Sequence, residues 1–254
     1  MKRRTFLLSS LSLHASNLLA TQQSGSALAG TWSTSAAMPL NVQELYPVVH
    51  DNKLFVAGGI AAKAGAIYFT DRCVVFDPSK DAWSNAPDLP ESLHHAALAS
   101  SQNRLFLVGG FHGSYTSVWQ MRSSVYELID SAWQASIDLP APQAEGVLST
   151  APDGAIHLVS GQSPRGEKNA QRSDHSEVHD HWRWEPGNAS WEKAAPIPTA
   201  RNSASGGWVG ESLLVAGGRT SAGNLNETEI YDFKEDRWRS ARPMPLAQAG
   251  SAAA

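Results

Sequence analysis

The chain has 254 residues, 42% of them hydrophobic, 17% charged and 8% aromatic, with 20 glycines, 14 prolines, nine tryptophans and one cysteine. That balance excludes disordered, collagenous and coiled-coil proteins, which need a strong compositional bias, and one cysteine excludes an internal disulfide staple. The formal charge of −4 argues against nucleic acid as a partner, because phosphate neutralisation needs a basic face.

Taken in chain order, residues 1–29 read as an export signal ahead of a folded body at 30–254. Lys2, Arg3 and Arg4 make a basic start, Phe6 to Ala20 a mildly apolar stretch, and Ala27-Leu28-Ala29 a small-residue cleavage pattern. The apolar stretch is too short and serine-rich to span a bilayer. Arg3-Arg4-Thr5-Phe6-Leu7-Leu8 resembles a twin-arginine signal. The expected location is periplasmic or secreted, with no transmembrane segment. Without the leader, 17 Lys and Arg face 24 acids, a net of −7.

A repeat governs the rest. Trp32, Trp83, Trp133, Trp191 and Trp238 are 51, 50, 58 and 47 residues apart, and each is followed seven residues later by a proline: Pro39, Pro90, Pro140, Pro198 and Pro245. An apolar run ends in Gly58-Gly59, Gly109-Gly110 and Gly217-Gly218, and in Ser160-Gly161 in the third unit. An aromatic and an acid precede the next tryptophan: Phe76-Asp77, Tyr126-Glu127, Trp184-Glu185 and Tyr231-Asp232. Each unit therefore predicts four strands. The first is rich in small residues, the second is the apolar run, the third carries the aromatic-acid pair and the fourth the tryptophan. Small residues suit strands crowded at an axis, and large aromatics suit the rim where sheets pack face to face.

The tryptophan-to-proline spacing, the glycine pair and the aromatic-acid pair together resemble the Kelch motif, from Trp32 to Ala254. The resemblance implies an all-β Kelch-type β-propeller with four complete four-stranded blades and partial blades at both ends. Because that family usually closes with six or seven blades, the ring is expected to be open and the sequence to be a truncated record, incomplete at the C-terminus.

The resemblance also implies a binding module whose partner, a small molecule such as a sugar or sugar acid, or a protein, meets loops at the channel mouth. Equivalent positions in successive repeats supply the ligand-binding candidates. Ahead of the inner strands these are Glu44, His94, Gln143, Glu145, Arg201 and Asn202; after the glycines they are Arg165 and Arg219. His94 and His95 are adjacent, so on a strand only one of them faces the channel.

A sugar-active enzyme resembling N-acetylneuraminate mutarotase is the alternative. It needs an acid-base carboxylate and an arginine, with Glu145, Glu167 and Arg201 as catalytic candidates, since Gln162 stands where the acid is wanted. A galactose-oxidase-like copper enzyme ranks third, because Cys73 on a third strand reads as a core residue. No cofactor or metal is expected. The long third-repeat loop, 162–181, carries His175, His179 and His181, the residues a metal would use there.

Overall fold

The computed structural model describes residues 31–63, 66–114 and 117–253; the stretch expected to be an export signal, 1–29, lies outside them. Ser35–Ala254 is a compact unit and carries the fold. Its four four-stranded antiparallel sheets follow the repeat phase. Blade 1 is Val48–His50, Lys53–Ala57, Cys73–Asp77 and Ala82–Ala86; blade 2 is Ala97–Ser101, Arg104–Val108, Val125–Ile129 and Ala132–Ala135. Blade 3 is Val147–Thr150, Ile156–Val159, His181–Trp184 and Glu192–Lys193; blade 4 is Ser205–Val209, Ser212–Ala216, Thr228–Asp232 and Arg237–Ser240. Among the described residues the sole helical element is the 3₁₀ turn Arg172–Asp174.

Strands pair in sequence order, so hairpins connect them. Asp51-Asn52, Gln102-Asn103 and Asp130-Ser131 take φ of 48° and 58°, 50° and 60°, and 47° and 70°. Two consecutive left-handed residues give the turn twist that matches paired strands. The inner strands lie side by side, blade 1 on 2, 2 on 3 and 3 on 4. They wall a cavity of about 590 Å³ lined by Val48, Ala97, Gly146, Ser203 and Gly250, among others. The stretches expected to be the outer strand of an earlier blade, around Trp32, and the inner strand of a later one, at 250–253, form no strand. Among the described residues no hydrogen-bonded pairing joins blade 4 to blade 1.

The core lies between blades, as alternation of side chains along each strand requires. Ala57 and Cys73 meet Leu98, Leu105 and Leu107. Phe106 and Val125 meet Ile156, Trp182 and Trp184, and Val147 and Val159 meet Leu213, Val215 and Tyr231. Burial pushes the Cys73 thiol up to about 12, so it stays protonated and packs as a small hydrophobe.

Each repeat tryptophan also fastens its blade to the chain that follows the preceding repeat's tryptophan. The indole N–H of Trp83 donates to Ala36 O at 2.9 Å, Trp133 to Pro87 O at 2.9 Å, Trp191 to Ile137 O at 3.2 Å and Trp238 to Ala195 O at 2.8 Å. Every acceptor stands four residues after the preceding repeat's tryptophan. The W-x6-P spacing therefore encodes a hydrogen bond across the blade boundary as well as apolar burial.

Candidate functional site at the axial mouth

The glycine pair sets the geometry of the mouth. Leaving each second strand, the chain turns so that one N–H donates to the next blade: Gly59 to Leu93 O at 2.8 Å, Gly110 to Gln143 O at 3.1 Å, Gly161 to Arg201 O at 2.8 Å and Gly218 to Gln248 O at 2.8 Å. A Cβ on Gly58 or Gly109, both with positive φ, would lie 2.2 Å from Leu93 O or 2.3 Å from Gln143 O. Side chains are excluded there by this close approach. Blade 3 has Ser160 at this place, at φ 57°; its hydroxyl accepts from Arg201 N at 2.8 Å and bonds Arg201 O at 2.7 Å.

Two residues past those carbonyls the backbone is left-handed at His95, Glu145, Ser203 and Gly250, with φ of 54°, 58°, 52° and 69°, and Glu44, at the same repeat position, has φ 65°. His95 N donates to Glu44 O at 3.2 Å, Ser203 N to Glu145 O at 2.9 Å and Gly250 N to Ser203 O at 2.9 Å. One conformation thus recurs at the same place in successive repeats, with a side chain at Glu44, His95, Glu145 and Ser203 and none at Gly250.

Three of those side chains form an ion cluster. His95 Nε2 lies 2.9 Å from a Glu44 carboxylate oxygen and 3.2 Å from Glu145 Oε1, and Arg219 reaches the same Glu145 oxygen at 3.5 Å. Desolvation brings the His94 pKa down to about 4, so this ring is neutral near pH 7. Its Nε2–H donates to Val118 O at 2.7 Å, which leaves Nδ1 to accept from His95 Nδ1–H at 2.6 Å. With that nitrogen committed, one proton is held between His95 Nε2 and the two carboxylates. The hydrogen bond from His95 keeps Glu44 below the usual carboxylate range. Tyr46 stands beside the cluster; burial first, then the charges of Glu145 and Glu44, push its phenol up.

Further from the axis, Arg219 Nε donates to Asn202 Oδ1 at 2.9 Å, and Asn202 Nδ2 donates to Glu177 Oε1 at 2.9 Å. Gln162 Nε2 reaches the same Glu177 oxygen at 3.3 Å. A carboxylate does therefore stand at the Gln162 position, supplied across the hairpin by Glu177. Ser203 Oγ donates to Asn202 Oδ1 at 3.0 Å.

The structure thus gathers Glu44, Glu145, Asn202 and Arg219 and disperses the other candidates. His94 is stacked between Phe69 and Phe111, at centroid distances of 5.2 and 5.3 Å. The left-handed turn at His95 lets both rings of the pair touch instead of pointing to opposite faces. Gln143 is buried and donates to Ser160 O.

Arg201 lies away from the mouth, fully buried between blades 3 and 4. Its guanidinium donates to Glu229 Oε2 at 2.5 Å, Thr199 O at 3.1 Å, Gly217 O at 2.9 Å and Glu227 O at 3.0 Å. Arg165 and Glu167 sit exposed on the long loop, with Arg165 donating to Ser173 O. The loop folds over blade 2: Asn169 bonds both Met121 N and Met121 O at 2.9 Å, and Arg172 lies 5.1 Å over the Trp119 ring.

The three loop histidines diverge. His175 bonds Asn169 at 3.1 Å, His179 donates to Ile197 O at 2.8 Å, and His181 contacts His157 at 2.8 Å. Among the described residues no three His, Cys, Asp or Glu side chains converge as a metal set. Sequence reasoning passed over Tyr46 and Ser203 at the mouth, and read Glu177 as bonding the backbone of its own loop, whereas it takes the amides of Asn202 and Gln162. The repeat phase was signal enough for Ser203, which stands twelve residues after Trp191 as Glu145 does after Trp133. Tyr46 and Glu177 carry no such signal.

A Kelch motif model matches residues 47–90 and 200–245. Kelch-like protein terF of Aspergillus terreus is 27% identical over 238 residues, covering 88% of this chain and 50% of that protein. Human Kelch-like protein 34 is 30% identical over 144 residues, 54% of this chain and 22% of its own length. Beta-scruin of Limulus polyphemus is 21% identical over 228 residues, 87% and 24% of the two chains. The chain thus spans half or less of these relatives. The solved structure of YjhT superposes with a TM-score of 0.72 at 13% identity, over 87% of this chain and 77% of that one, a likeness of fold alone.

Proposed function

This chain belongs to the Kelch-repeat β-propeller family, and from that premise we propose that it is an exported binding protein that takes a small polar ligand at the axial mouth. One observation carries the reading. Glu145 is 1% exposed in its side chain, yet its Oε2 has no hydrogen-bond partner. A buried carboxylate oxygen left unpaired costs free energy, and ligand sites are where such a cost is met. Glu44 and Arg219 flank it at the surface, and Ser203 and Tyr46 line the adjoining cavity. Among the described residues no helix is long and apolar enough to cross a membrane.

The test is a screen of sugars, sugar acids and amines by thermal shift and ligand-detected NMR, on the protein and on Glu145→Gln. Hits that weaken about tenfold or more in the variant support the site. Hits indifferent to Glu145, or none, would remove it. Residues 1–29 fused to a reporter test export: periplasmic activity is expected, and it is lost when Arg3 and Arg4 become Lys.

A sugar-active enzyme is the second reading, favoured by the single proton shared among His95, Glu44 and Glu145, which is what an acid-base group at a hemiacetal needs. An NMR time course of N-acetylneuraminate anomerisation decides it. Acceleration abolished by Glu145→Gln supports the enzyme, and the spontaneous rate alone excludes it.

A further inference from the structure

The chemistry of the ligand follows from which hydrogen-bonding groups at the mouth are already used. Most of the donors nearest Glu145 are already engaged. Arg219 is bonded to Asn202 and faces Glu145, Asn202 gives its amide to Glu177, Ser203 gives its hydroxyl to Asn202, and His95 is committed at both nitrogens. Arg201, the other arginine of this part of the fold, is closed off against Glu229.

Acceptors remain. Glu145 Oε2 is buried without a partner, and Glu44, 44% exposed in its side chain, lines the cavity. Three carboxylates, Glu44, Glu145 and Glu177, stand against Arg219 and the proton shared with His95, so the cluster is net negative. An anionic ligand would meet two carboxylates and one guanidinium already facing Glu145 and bonded to Asn202. A neutral polyol would supply donors but leave the excess charge in place. A primary ammonium supplies three donors and one positive charge in a compact group.

Resting on the reading of the mouth as a ligand site, we propose that its ligand is a small organic cation whose primary ammonium binds the free Glu145 oxygen and Glu44. Entry requires one movement. Arg219, 37% exposed in its side chain and held to Glu145 at 3.5 Å, swings outward and leaves the carboxylate to the incoming ammonium.

The experiment compares D-glucosamine, D-glucose and D-glucuronate, which share a ring and differ in charge, by isothermal titration at pH 7 against the unmodified protein. Glucosamine is expected to bind about tenfold more tightly than glucose and glucuronate to bind least, a preference of the size that charge-assisted pairing gives. Glu145→Gln and the more exposed Glu44→Gln are each expected to reduce the preference; the second variant keeps the fold even if the first does not.

Glucuronate binding best, equal binding of all three sugars, or a preference that survives both substitutions would overturn the cation and leave the ligand site standing. Calcium chloride binding one-to-one while glucosamine does not would also overturn it, by assigning the carboxylates to a divalent metal. No binding by any of these probes would overturn both the cation and the site beneath it.

Discussion

At the scale of single residues, conformation matters as much as chemical type. Glu145 meets His95 and Arg219 from a left-handed backbone, and at Gly109 a Cβ would run into a carbonyl of the next blade. Gly109→Ala puts a Cβ 2.3 Å from Gln143 O at φ 59°, whereas Gly210→Ala, also at φ 59°, meets nothing within 4 Å. The first is expected to cost about 2 kcal/mol or more and the second about 1 kcal/mol, by urea denaturation. Equal costs would show that the carbonyl contact is unimportant.

The buried Arg201–Glu229 pair makes a stronger test. Its partners are 0% and 3% exposed in their side chains, so Glu229→Gln leaves a buried guanidinium uncompensated and is expected to lose about 3–5 kcal/mol. A loss under about 1 kcal/mol would mean the pair is not closed in solution. Arginine at position 201 suits carboxylate binding by residue type alone; burial removes it from that role, and sequence spacing does not encode burial.

At the scale of the elements, blade boundaries are the units of stability. Trp133→Phe keeps most of the apolar contact and removes the bond to Pro87 O, for an expected loss of about 1 kcal/mol. An unchanged midpoint would reduce the repeat tryptophan to a packing role.

The boundary between blades 3 and 4 carries a titration as well. His157 and His181 are both buried, and desolvation lowers their pKa values to about 3 and about 4. His181 donates to Ala195 O at 3.1 Å and is left to accept from His157 at 2.8 Å, so the pair is neutral. Because the folded values lie below the unfolded value near 6.5, stability from this pair is complete above pH 6.5. It falls as pH drops from there toward 4 and 3, where the folded protein takes up the same protons. His157→Leu is expected to flatten the unfolding midpoint between pH 6.5 and 4; an unaltered slope would place the titration elsewhere.

At the scale of the whole molecule, neighbours set local stability, as in other repeat architectures. Blades 2 and 3 each pack on two described blades; blades 1 and 4 each pack on one. Amide hydrogen exchange is therefore expected to be slowest around Phe106, Leu107 and Leu158 and faster around Val49 and Val209, which are 63% and 71% exposed. Uniform protection across the four blades would show that they unfold as one unit.

The fold was legible in the sequence because its repeat is written three times over, in tryptophan, glycine pair and aromatic-acid pair. Each signal answers a local demand: an indole at the blade boundary, a turn without Cβ, a rim aromatic. That Glu44 and Glu145 stand together was legible for the same reason, since they share one repeat phase. The repeat phase marks His95, twelve residues after Trp83 as Glu145 is after Trp133, but strand alternation could not foresee that its ring meets that of His94, because a left-handed turn breaks the alternation just there. Nor could periodicity find Glu177, which reaches the cluster from across a hairpin. The sequence by itself determined the number of complete blades and the face on which the loops gather, because both follow from short-range rules repeated along the chain. Only the tertiary structure decided which side chains meet at the axis and which carboxylate oxygen is left free, because those depend on distances between blades about fifty residues apart.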